Sequence, residues 1–96
     1  MKVLLSEKAT EDLLQLYLYL VAQNPDTADR ALRNINVKFE HLTRFPFLGR
    51  ERDSLLRGLR GLVVGDMVVF YTASSDIITI VRVIDSRMDV DAEFQR

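Results

Sequence analysis

The chain has no cysteine and no tryptophan, and only two prolines, four glycines and one histidine in 96 residues. Without cysteine there is no disulfide and no thiolate metal site. His41 stands alone in a helical pattern, with no matched serine for a nucleophilic triad and no metal ligands at useful spacing, so it reads as a partly exposed helix residue. No glycine-rich phosphate loop appears. No apolar run approaches the roughly 18 residues of a membrane span. The opening MKVLLSEKATEDL has too short an apolar stretch for an export signal and turns acidic at once. A cytoplasmic protein is expected. Excess charge is missing too: 13 Lys and Arg stand against 14 Asp and Glu, for a net charge of −1. A protein that lives by gripping phosphates usually carries a basic surplus.

What is present is enough apolar residue, 48%, for one core. Residues 1–96 form one small domain, a size that buries about 60–65% of its unfolded surface. Charge is unevenly spread. Arg50, Arg52, Arg57, Arg60, Arg82 and Arg87 lie in the second half, while Glu7, Glu11, Asp12, Asp26 and Asp29 lie in the first. A local basic patch on a near-neutral body remains open.

The last third, Leu59 to Asp89, organises the rest. Met67–Ala73 and Ile77–Ile84 are rich in Val, Ile, Thr, Phe and Tyr, which suit a pleated surface. Gly65-Asp66 precedes the first run and Ser74-Ser75-Asp76 separates the two, so the stretch reads as an antiparallel meander. Leu55–Val64 supplies its first strand, with Gly58 and Gly61 as candidate bulge or close-approach positions. Upstream, Lys2–Leu5 suits a single strand, whose place in the sheet the pattern leaves open. Ser6 fits a helix N-cap, with Glu7, Glu11 and Asp12 in the early turns. Ala9, Leu13, Leu16, Tyr17 and Leu20 make one helical stripe, and Leu14, Leu18 and Val21 a second. A helix apolar on both flanks meets the sheet and one further neighbour, either the next helix or a partner protein. Asn24-Pro25 caps and opens a second helix that repeats Ala28, Leu32, Ile35, Phe39 and Leu42, and Pro46 ends it. Phe47–Asp53 reads as a charged loop. Val90 and Phe94 suit either one helical turn or an extended tail that packs Phe94 down. The fold class is therefore α+β: an N-terminal strand and an antiparallel helical hairpin packed on a small, mainly antiparallel sheet with a C-terminal three-strand meander.

Candidate chemistry gathers on the last strands. Arg82 interrupts an apolar run and must face solvent or a polar site. Arg60, Arg82 and Arg87 could hold a phosphate if the sheet joins them, with Tyr71, Glu51 or Asp85 left to move protons. Neither a Tyr with a pKa near 10 nor an Asp near 4 is poised for that without a special environment. The plainer reading pairs these arginines with Glu51, Asp85 or Asp89 at the sheet edge.

The ordered set of motifs resembles the RelE/ParE superfamily of small bacterial toxins, and the ParE branch in particular. Those motifs are the Ser6–Glu11–Leu13 helix start, FPFLGRERDSLLRGLR at Phe45 to Arg60, VVFYTASSDIITIVRVI at Val68 to Ile84, and SRMDVD at Ser86 to Asp91. The resemblance implies the fold above and the toxin part of a type II toxin–antitoxin system. It implies a ParD-like antitoxin as partner, wrapped on the toxin in a hetero-oligomer and meeting operator DNA only through the antitoxin. Leu14, Leu18 and Val21 would form part of its groove. The implied target is DNA gyrase, held in a DNA-cleaved state by binding, with no catalytic residue, metal or cofactor. Arg60, Arg82, Arg87, Asp89 and Tyr71 are the candidate target contacts. Two other readings stay open: a RelE-like ribosome-dependent mRNA endonuclease using Arg60 and Arg82, and a non-toxic antitoxin-binding co-repressor. Glu51, Arg52 and Asp53 stand where the ribonuclease branch tends to carry lysines. Asp85-Ser86 stands where ParE relatives often have His-Gly.

Overall fold

A computed structural model describes residues 1–95. Its elements run β1 (Lys2–Leu5), α1 (Glu7–Gln23), α2 (Pro25–Arg44), β2 (Arg50–Glu51), β3 (Arg60–Val64), β4 (Met67–Ala73), β5 (Ile77–Asp85) and α3 (Val90–Phe94). The five strands form one sheet in the order β1-β5-β4-β3-β2. β3, β4 and β5 are the expected antiparallel meander. β1 takes the edge beside β5 and runs parallel to it. Parallel neighbours need a long connection, and here the whole chain from α1 to β4 provides it.

Local chemistry sets the boundaries. Ser6 Oγ accepts the Ala9 N–H at 3.0 Å and so caps α1. Asn24 closes α1 through its own N–H to the Leu20 carbonyl, while its Oδ1 accepts the Asp26 N–H at 2.9 Å to start α2. Pro25 follows at the first helical position, where a missing N–H costs nothing. α2 stops just before Pro46. Gly65 takes φ 60° in the two-residue turn between β3 and β4, a backbone region that side chains resist. The first meander strand is shorter than its apolar pattern suggested. It begins at Arg60, because residues 52–59 fold into a loop closed by the Arg52 N–H on the Leu59 carbonyl at 2.8 Å.

The sheet carries one register fault. Phe70 pairs with Arg82 but Tyr71 pairs with Ile80, which leaves Val81 as an extra residue on β5. A bulge of this kind re-aims the side chains beyond it. Ile78, Ile80 and Val83 join the core under the helices, while Val81 and Ile84 join the opposite face. Two side chains of the α1 end satisfy the disturbed backbone. Ser6 Oγ donates to the Val81 carbonyl at 2.7 Å, and Asp12 Oδ2 accepts the Val83 N–H at 2.9 Å.

The main core lies between sheet and hairpin, with Ala9, Ile35, Phe39, Leu42, Tyr71 and Ile80 at its centre. A smaller core of Leu59, Phe70 and Ile84 sits on the other face, covered by Leu55, Val90 and Phe94. The tail is one helical turn that also packs Phe94 down: its ring meets Phe70 edge-on at 5.0 Å between centroids. Such a pair adds about 0.5–1.5 kcal/mol beyond its buried area. No helix of the described residues is long and apolar enough to cross a membrane.

Phe39 and Ile80 are both buried. Truncating either to Ala should cost about 2–5 kcal/mol in urea unfolding. A cost near zero for both would place the core elsewhere.

Candidate functional site

Arg82 directs its donors to groups of the chain itself. Its Nε and Nη2 donate to the two oxygens of Asp12 at 2.8 and 2.9 Å, and its Nη1 donates to the Glu93 carbonyl at 2.9 Å. The side chain is 12% exposed and that of Asp12 16%. The hydrogen bonds from Arg82 to Asp12 raise the arginine pKa against the opposing effect of burial. Arg82 was a candidate target contact, and its donors in this structure go to Asp12 and the Glu93 carbonyl. A guanidinium taken this far out of water needs a carboxylate, and the bulge turns it toward α1, where Asp12 stands.

Tyr71, also a candidate target contact, points its hydroxyl inward. It is fully buried. Its Oη donates to the Pro46 carbonyl at 2.9 Å and accepts the Gly49 N–H at 2.7 Å. Burial pushes the phenol above its ordinary value, opposed by the Gly49 N–H and the nearby Arg60 charge. A phenol so placed holds the loop after α2. Arg60 is also largely engaged. Its Nη1 donates to the Gly49 carbonyl at 2.8 Å and its guanidinium lies 5.0 Å from the centre of the Phe47 ring. Its contact with Glu51, at 3.4 Å, is long. Gly49 completes the arrangement, since a Cβ there would come within 2.6 Å of the Tyr71 ring.

Arg87 and Asp89 stay on the surface. Arg87, 78% exposed, makes a two-point pair with Asp85. The Arg87 hydrogen bonds hold the Asp85 carboxyl down at about 2. Asp89 caps α3 by accepting the Ala92 N–H. The structure thus separates the five candidates: Tyr71 is enclosed, Arg60 and Arg82 are mostly covered, and Arg87 and Asp89 are open. A cleft of about 500 Å³ between α1, β5 and α3 has Asp12, Arg82, Tyr19, Arg87 and Met88 in its walls.

On the outer side of α1, Leu14 is 54% and Leu18 50% exposed, with Val21 half-buried beside them. The sheet and α2 account for the first stripe of α1, and this second stripe is left without cover. A further apolar surface escaped the sequence reading. Phe45, Phe47 and Leu48 all stand exposed in the loop after α2, which had been read by its charges. Their run of three large apolar residues around Pro46 was the available signal. Among the described residues no group of three His, Asp or Glu could hold a metal.

Two predictions follow from the ion pairs. Asp12→Ala leaves Arg82 unpaired and should cost about 3 kcal/mol in urea unfolding, while Asp12→Leu with Arg82→Met should restore most of it. Equal losses in both variants would contradict the pairing. Asp85 titrates below its unfolded value, so its contribution to stability is full above about pH 4 and fades as pH falls through about 2. Arg87→Ala should return the Asp85 carboxyl toward its ordinary range in an NMR titration, and no change would show that Arg87 is not the cause.

Residues 3–90 match the family model described as the ParE toxin of the type II toxin–antitoxin system parDE. Toxin ParE3 of Caulobacter vibrioides is 36% identical over 66 residues, 69% of this chain and 66% of that protein. The chain thus spans just under two thirds of that relative's length. Toxin ParE1 of Mycobacterium tuberculosis is 34% identical over 67 residues, 69% of this chain and 68% of that protein. A solved chain of the chromosomal ParDE TA system from P. aeruginosa superposes with a TM-score of 0.72 at 25% identity, covering 88% of this chain and 95% of that one. With sheet, hairpin and motifs in agreement over nearly its whole length, the chain belongs to the ParE toxin family of type II toxin–antitoxin systems.

Proposed function

We propose that this chain is a toxin that inhibits DNA gyrase by binding, stabilising the cleaved gyrase–DNA state, and that a ParD-like antitoxin neutralises it. Membership of the ParE family supports the toxin role. The observation that favours adhesion over cleavage is the Asp12–Arg82 pair. The arginine best placed to hold a scissile phosphate has its donors directed to Asp12 and the Glu93 carbonyl. Tyr71, one phenol that could move a proton, is buried with both its hydrogen-bonding roles taken. The RelE-like ribonuclease reading gains no support from this arrangement.

The antitoxin reading rests on α1. An amphipathic segment laid over Leu14, Leu18 and Val21 would cover apolar surface that the chain itself leaves open. The complex is then a hetero-oligomer that reaches operator DNA through the antitoxin. Arg87 and Asp89 remain as target contacts.

Purified chain added to gyrase and plasmid should block supercoiling and accumulate cleaved complexes. Unchanged supercoiling and cleavage at large excess would overturn the gyrase reading. Leu18→Glu should weaken antitoxin binding by about 1–3 kcal/mol and leave the fold intact. Normal affinity would move the groove off this stripe.

A further inference from the structure

We propose that the loop from Phe45 to Leu48 is a preorganised docking knob, which places Phe47 and Leu48 in an apolar pocket with an acidic rim on a target protein. The proposal rests on reading the chain as a toxin that acts by binding. It also gives that binding a centre, which Arg87 and Asp89 alone do not.

Exposure is the first support. Phe45 is 61%, Phe47 73% and Leu48 49% exposed. Three large apolar side chains within four positions gain little for the isolated domain, and clustered exposure of this kind marks an interaction site.

Rigidity is the second. Free apolar loops tend to collapse or wander, yet this one is fixed from below at four backbone groups. Tyr71 Oη holds the Pro46 carbonyl and the Gly49 N–H. Arg60 Nη1 holds the Gly49 carbonyl at 2.8 Å and, at 3.4 Å, the Phe47 carbonyl. The Arg60 guanidinium also sits against one face of the Phe47 ring. The ordering entropy is thus lost on folding and not at encounter, which is how preorganisation raises affinity. Arg60, Tyr71 and Gly49 become positioning residues for this surface.

Charge chooses the occupant. Arg44 and Arg50 flank the loop in the chain and are exposed, and the Arg60 guanidinium lies on the Phe47 ring, against the nearby carboxylate of Glu51. A surface with this rim is complementary to acidic groups around an apolar centre. A protein fits better than a nucleic acid. Leu48 offers no stacking face, and Arg60 already covers one face of Phe47. Aromatic and arginine side chains together are also the usual make-up of protein hot spots.

The test uses the full chain with Phe47→Ser and Leu48→Ser combined, and separately with Tyr71→Phe. Three readouts apply: growth arrest on expression without antitoxin, and affinity of the purified chain for gyrase and for antitoxin. The double variant should abolish arrest and weaken gyrase binding at least about 30-fold, with antitoxin affinity within about twofold of wild type. Tyr71→Phe keeps the ring but frees the loop, and should weaken gyrase binding about 3–10-fold with antitoxin affinity again unchanged. Unchanged arrest and gyrase affinity in the double variant would overturn the proposal. An equal fall in antitoxin affinity would overturn it by making the knob an antitoxin contact. A fluorescein-labelled DNA 20-mer bound by wild type and not by the double variant would also overturn it, with nucleic acid as the occupant. Wild-type arrest without gyrase binding, lost in the double variant, would overturn the gyrase reading and support the knob. A wild-type chain that neither arrests growth nor binds gyrase would overturn both.

Discussion

Asp12 and Arg82 join three parts of the chain that share no local contact. The extra residue at Val81 turns the Arg82 side chain toward α1. There both carboxylate oxygens of Asp12 meet it, and Asp12 also takes the Val83 N–H. The remaining guanidinium nitrogen reaches the Glu93 carbonyl and fixes α3. One ion pair therefore sets the angle of the first helix on the sheet, supports the bulge and anchors the tail. Its net energy is small if both partners are replaced by apolar groups and large if one is removed. Its value lies in specifying a single arrangement of these elements.

The same logic governs the other end of the sheet. Tyr71 and Arg60 direct their polar atoms at the backbone of the loop after α2 and hold its apolar side chains out in water. Polar residues on the strands thus act inward, on helix, tail and loop. Two apolar surfaces stay exposed beside the open Arg87 and Asp89: the outer stripe of α1 and the loop from Phe45 to Leu48.

Much of the fold was legible because it is written in local chemistry. Ser6, Asn24-Pro25, Pro46 and Gly65-Asp66 each act within a few residues, and each marks the boundary it suggested. The working surface was less legible because its determinants are distant in sequence. Asp12 reads as a helix-dipole residue until β5 is placed beside it, 70 positions later. Two charges each interrupting an apolar face, Asp12 between Ala9 and Leu16 and Arg82 between Ile80 and Ile84, were the only hint that they answer each other. Tyr71 looked available because a tyrosine on a strand shows nothing of the loop 22 positions earlier that receives its hydroxyl. The bulge at Val81 carries no glycine and gives no sign in the sequence.

The account stands or falls on where Arg82 spends its hydrogen bonds. Hydrogen exchange at the arginine Nε–H groups, followed by ¹⁵N NMR of the isolated chain, reads this directly. The Arg82 Nε–H should give a resolved signal that exchanges at least about tenfold more slowly than that of the exposed Arg50. An Arg82 signal exchanging as fast as that of Arg50 would mean an open guanidinium, and the inward role given to Arg82 would be wrong.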